Sequence, residues 1–168
     1  MAEVEGLHHT CFTVSDLERS LAFYRDLLGC EVVARRERRG GFLAEIVGYL
    51  EAHVRMAYLR VPPSEHLIEL FEYVTPASAP APIEPRLVGA AHLCFLVADL
   101  RGLYERLRAA GVDSFFSPPI EVSDGQDAGG LALYLRDPDG IVVELYQPPR
   151  GARGSQVGLS VRSGRKSP

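Results

Sequence analysis

Apolar residues follow two rhythms along this chain, and the switches between them mark out its elements. From Gly6 to Val14 β-branched and aromatic residues recur at the two-residue period of a strand. Leu17, Leu21, Tyr24 and Leu28 then fall at helical spacing, preceded by the capping box Ser15-x-x-Glu18 and closed by Gly29. Strands are expected near Glu31 to Arg36, Phe42 to Val47 and Ala52 to Val61, with Leu67 to Val74 last. The same order then resumes. Asp99 to Ala110 predicts a helix with Leu100, Leu103, Tyr104 and Leu107 on one face and Gly111 as its stop. Strands are expected at Val112 to Phe116, Leu131 to Leu135 and Ile141 to Tyr146. Asp137-Pro-Asp-Gly140 signals a turn between the last two, and Gly125 to Gly130 reads as a mobile loop.

The order of elements recurs because the sequence does. His9-Thr-Cys-Phe-Thr-Val-Ser-Asp-Leu17 matches His92-Leu-Cys-Phe-Leu-Val-Ala-Asp-Leu100 at an offset of 83, with six of nine positions identical. Leu67-Ile-Glu69-Leu-Phe matches Val142-Val-Glu144-Leu-Tyr at an offset of 75, so the first unit is eight residues longer between its His and its Glu. Two homologous modules follow, residues 5–74 and 90–149. Residues 75–89, with Pro76, Pro80, Pro82 and Pro85 among alanines, read as a linker, and residues 150–168 as a basic, solvated tail.

The 168 residues suit one compact domain or two small modules sharing a core. No apolar run reaches bilayer length, and the acidic start Met-Ala-Glu-Val-Glu lacks the order of an export signal, so the expectation is a cytoplasmic protein without membrane contact. Cys11, Cys30 and Cys94 form no Cys-x-x-Cys pair and are expected as reduced thiols. Residues 1–149 hold 13 basic against 22 acidic residues, a balance that repels a phosphate backbone and argues against a nucleic-acid partner.

Alternation along the first strand puts His9 on one face with Cys11 and Thr13, and His8 on the other. The repeat selects His9, which aligns with His92, whereas His8 aligns with Ala91. Glu69 and Glu144 each interrupt an apolar strand, where an uncompensated carboxylate is costly. A lone strand histidine is more often a hydrogen-bonded core residue, but a packing accident need not recur at the same place in both modules. Two imidazoles and two carboxylates, His9, Glu69, His92 and Glu144, could surround one divalent cation. Ni, Co, Zn, Mn and Fe all suit such a mixed nitrogen and oxygen set. Cys11 and Cys94 lie two residues from each histidine, roughly 6 to 7 Å along a strand, and read as small apolar packing residues. His53, His66, Glu51 and Arg55 have no counterpart in the repeat and are expected at the surface. The run Arg35-Arg-Glu-Arg-Arg39 reads as a solvated strand end, with a contact for an anionic substrate as the alternative.

Two stretches carry a family resemblance: Leu7-His-His-Thr-Cys-Phe-Thr-Val-Ser-Asp-Leu-Glu-Arg-Ser-Leu-Ala-Phe-Tyr-Arg-Asp-Leu-Leu-Gly29 and Asp137-Pro-Asp-Gly-Ile-Val-Val-Glu144-Leu. Over about residues 5 to 149 the chain resembles the vicinal oxygen chelate superfamily, the glyoxalase I, bleomycin-resistance and extradiol dioxygenase group. The resemblance implies an α+β fold in which two βαβββ modules form a curved eight-stranded mixed sheet around a metal, with His9, Glu69, His92 and Glu144 as ligands. It also implies a homodimer, and Glu144 as the base ahead of Glu69. Four protein ligands leave two places for adjacent substrate oxygens, which suits a glyoxalase-type isomerase, epimerase or lyase acting on a small carbonyl compound. An Fe(II) extradiol-type dioxygenase is one alternative, although ring cleavage favours two histidines and one carboxylate. A non-catalytic binder of a drug or natural product is the other. Where glyoxalase I carries Arg and Asn for glutathione, this chain has Thr13 and Tyr73. Methylmalonyl-CoA epimerase carries Gln where this chain has Glu69. The substrate therefore stays open.

Overall fold

A computed structural model describes residues 3–79 and 83–151. Linker residues 80–82 and all but the first two residues of the basic tail lie outside the described residues. By contacts the described residues divide into two compact units, one formed by those up to His92 together with Leu135–Val143, the other by Leu93–Tyr134 and the described residues from Glu144.

The first βαβββ module runs β1 (His9–Val14), α1 (Leu17–Leu21), β2 (Glu31–Arg39), α2 (Gly41–Val47), β3 (His53–Arg60) and β4 (Leu67–Thr75). Its sheet has the strand order β1-β4-β3-β2, with β1 parallel to β4 and the other pairs antiparallel. One face buries Val14, Ala57, Leu59, Ile68 and Leu70, and α1 supplies Leu17 and Leu21. The helix starts differently from the expected capping box. Asp16 is the N-cap, its Oδ1 accepting from the Arg19 N–H at 2.9 Å, whereas Ser15 donates to Asp139. After Leu21 the helix widens into a π-helical stretch, Ala22–Leu27, which ends before Gly29.

The strand expected at Phe42 to Val47 is instead the helix α2. Gly40 and Gly48 flank it at φ 56° and 76°, a backbone that ends strands and suits glycine. Leu43, with Val47 beside it, then packs on Val54, Met56 and Phe71, the opposite sheet face from α1.

The second module runs β5 (His92–Leu96), α3 (Leu100–Ala109), β6 (Ile120–Glu121), β7 (Leu131–Arg136) and β8 (Val142–Gln147), with the same topology, β5-β8-β7-β6. The eight strands thus form two four-stranded mixed sheets rather than one continuous sheet. Asp99 caps α3 through the Gly102 N–H at 3.0 Å, as the repeat of Asp16 requires. Val112 to Phe116 is not a strand; the edge is the two-residue β6, and Gly125–Asp127 forms a short 3-10 turn within the expected loop. The turn at Asp137 forms as expected, with the Gly140 N–H donating to the Asp137 carbonyl at 3.0 Å. No helix among the described residues is long and apolar enough to cross a membrane.

Candidate functional site

Strand register converges on Glu69 from both sides. Cys11 faces it across the parallel β1/β4 ladder and Tyr58 across the antiparallel β3/β4 ladder. His9, two residues before Cys11 on the same face, brings Nε2 to 3.0 Å from Glu69 Oε2. The carboxylate side chain is only 5% exposed and the imidazole 34%, so the pair joins a buried charge to an accessible ring. The Tyr58 ring meets His9 edge-on, with centroids 6.0 Å apart, and its hydroxyl donates to Glu69. Burial, then that hydrogen bond and the Glu69 charge, push the Tyr58 hydroxyl up to about 12. The Cys11 thiol is also pushed up to about 12, by burial first, then by the Glu69 charge and the hydrogen bond it donates to Glu69. Both groups keep their protons at neutral pH, so both act as donors to the carboxylate.

The second module repeats this surrounding. Burial, the Glu144 charge and a hydrogen bond to Glu144 push the Cys94 thiol up to about 12. The Tyr134 hydroxyl is raised by burial, then by Glu144 and Cys94. Glu144 is half-buried in β8, and His92 opens β5 as an exposed residue two positions before Cys94. Cys11 and Cys94 are therefore not the apolar packing residues expected from sequence. Their residues reach the surface, but each thiol is partly covered and donates to its module's glutamate. Desolvation explains why this suits a cysteine: a weak, compact donor covers the carboxylate without adding charge.

The tyrosines were absent from the expected site, yet the chain carries a signal for them. Tyr58-Leu-Arg60 recurs as Tyr134-Leu-Arg136 at an offset of 76, a third internal repeat one residue out of step with the glutamates. His53 departs from expectation in the other direction. It is buried, with Nε2 2.5 Å from Glu37 Oε1, because β2 runs three residues further than expected and brings Glu37 over it. His66 is half-buried, its Nε2 2.9 Å from the Thr10 hydroxyl, and Arg55 is exposed but pairs with Glu72 at 3.4 Å.

Of the four expected ligands, the structure joins His9 to Glu69. Among the described residues no group of three or more His, Cys, Asp and Glu side chains gathers as a set that could hold a metal ion. In each module a glutamate on the last strand has a cysteine thiol of the first strand donating to it.

Known proteins share sequence and fold with this chain. A 2-epi-5-epi-valiolone epimerase from Actinomyces sp. is 31% identical over 150 residues, covering 88% of this chain and 81% of the relative. A lactoylglutathione lyase from Pseudomonas aeruginosa is 29% identical over 155 residues, covering 83% of this chain and 81% of the relative. A solved glyoxalase family protein from Bacillus cereus shares the fold with a TM-score of 0.75 at 20% identity, covering 88% of this chain and 97% of that one. Residues 6–145 match the family described as the Glyoxalase/Bleomycin resistance protein/Dioxygenase superfamily, and the chain belongs to it.

Proposed function

We propose that this protein is a divalent-metal-dependent enzyme of the glyoxalase type, an isomerase, epimerase or lyase that moves a proton on the carbon beside a carbonyl group of a small substrate. The observation that carries this reading is the duplicated carboxylate cluster, Glu69 with His9, Cys11 and Tyr58, and Glu144 with Cys94 and Tyr134. Relatives named as an epimerase and as a lyase support it.

Members of the superfamily generally bind a divalent metal, and His9, Glu69, His92 and Glu144 are the residues that would hold one here. Bound there, the ion would polarise a chelated carbonyl and acidify the adjacent C–H. The chain's own groups divide the remaining work. Glu69 is buried and held by His9, Cys11 and Tyr58, a geometry that suits a fixed anchor. Glu144 is the more accessible carboxylate and is assigned the proton transfer, with Glu69 second in line. The protonated Cys11 thiol and Tyr58 hydroxyl restrain Glu69, the protonated Cys94 thiol restrains Glu144, and the base role is left to the glutamates.

Elemental analysis of the untagged full chain tests the foundation. The expected result is about one Ni, Co, Zn, Mn or Fe ion per site, lost in His9→Ala and in His92→Ala. Wild-type metal content in both variants overturns the reading.

A further inference from the structure

The duplication separates what both modules share from what only one has, and the unshared part lies on β2. That strand is nine residues long, whereas β6, which takes its place in the second sheet, has two. Its side chains alternate. Arg35 forms two hydrogen bonds to Glu18, at 2.6 and 3.2 Å, and Glu37 pairs with His53 at 2.5 Å and with Arg39 at 3.4 Å. Arg36 and Arg38 point to the other face and make no ion pair with any of the described residues.

That other face is the one carrying Glu69. Register sets Ala34 opposite Tyr58, Arg36 opposite Met56 and Arg38 opposite Val54, and Tyr58 in turn stands opposite Glu69. The Arg36 guanidinium lies 5.8 Å from the centre of the Tyr58 ring, and the Arg38 guanidinium 5.9 Å from the centre of the Phe42 ring on α2. Tyr58 is also the ring that meets His9 at 6.0 Å. One aromatic side chain therefore links a guanidinium without an acid partner to the His9–Glu69 pair. Stacking on a ring face leaves the planar N–H fork free to grip two oxygens of one anion. Two like charges two residues apart on one strand face repel each other, and an oxyanion between them relieves that repulsion. Glu18 and Glu37 are engaged on the opposite face, Glu18 by Arg35 and Glu37 by His53 and Arg39.

From this placement we infer that Arg36, assisted by Arg38, binds an oxyanion group of the substrate, a carboxylate or a phosphate, and so holds the substrate beside the His9–Glu69 pair. The inference rests on the proposed function for its second half. The oxyanion site itself can be tested without metal.

The experiment titrates chelator-treated full-length protein with inorganic phosphate and, separately, with succinate, by calorimetry at constant ionic strength set with sodium chloride. Saturable binding is expected at millimolar anion. Arg36→Ala should weaken it at least tenfold and Arg38→Ala severalfold. Arg36→Lys, which keeps the charge and loses the fork, should fall between Arg36→Ala and wild type. Arg35→Ala, on the opposite face, should bind as wild type. The tighter of the two anions identifies the group as phosphate or carboxylate. Absence of saturable binding, wild-type binding by Arg36→Ala, or an equal loss in Arg35→Ala overturns the inference. Metal content in the His9 and His92 variants does not enter this measurement, so failure of the metal reading and failure of the anion site remain distinguishable.

Discussion

Removing one hydroxyl tests how the fold secures the turn before β8. Tyr24, fully buried in the helix after β1, donates from its hydroxyl to Asp137 Oδ2 at 3.0 Å. Asp137 Oδ1 accepts from the Asp139 and Ile141 N–H groups at 2.9 and 2.8 Å. Tyr24→Phe keeps the ring and deprives a buried carboxyl of one donor. A hydrogen bond to a charged group contributes about 1.5–3 kcal/mol, so a loss of about 2 kcal/mol is expected. In a chain of this size that lowers Tm by about 4–8 °C. The pH dependence gives a sharper test. Burial pushes the Asp137 carboxyl up, against the pull of the Ile141 N–H, the Tyr24 hydroxyl and the Asp139 N–H. A carboxyl raised on folding contributes stability in acid that is lost as pH rises through its folded range. Wild type should therefore lose ground to Asp137→Asn between acid and neutral pH. Tyr24 stabilises the ionised form, so the Tyr24→Phe penalty should be largest at neutral pH and shrink in acid. Thermal unfolding followed by circular dichroism across that range, with the double variant to close the cycle, measures both trends. A wild-type Tm for Tyr24→Phe, or a penalty flat in pH, refutes the account.

Asp16→Ala should cost about 1 kcal/mol in urea unfolding through loss of the α1 cap, whereas Glu18→Ala should leave stability nearly unchanged, since Glu18 makes an exposed pair with Arg35. Tyr58→Phe and Tyr134→Phe should each weaken metal binding by about tenfold in a chelator competition, the usual scale for a group that holds a ligand in place; unchanged affinity in both would remove the tyrosines from the site. Glu144→Gln should retain some metal and stop exchange of the substrate's acidic C–H in D₂O. For assembly we propose a homodimer, tested by sedimentation. Mixing His9→Ala with Glu144→Ala chains then restores metal binding in part if modules of different chains share a site, and restores nothing if each chain builds its own.

Duplication singled out the candidate positions. His9 and His92, and Glu69 and Glu144, could be picked out because an accident of packing need not recur 83 or 75 residues later. Contacts across strands were harder to read. Cys11 and Glu69 lie 58 residues apart and meet only through the parallel register of β1 with β4, which no local pattern encodes. The cysteines were therefore recognised as recurring, but their role as donors was not. A short apolar run such as Phe-Leu-Ala-Glu-Ile-Val also fits either element, and here two glycines with positive φ decided for helix. The Ser15 box failed for a different reason. Ser15 was drawn into a cluster with Arg19 and Asp139, a residue 124 positions away, and Asp16 stood ready to cap in its place. Asp99 shows that this cap belongs to the module itself, since it does the same work in α3. In both modules the aspartate before the helix caps it and the glutamate of the last strand takes a donor from Cys, with a Tyr ring of the neighbouring strand close by. The long β2 with Arg36 and Arg38, and the helix α2, belong to the first module alone. If the shared residues carry the proposed chemistry, substitutions confined to β2 and α2 should change which substrate is accepted while leaving metal binding in place.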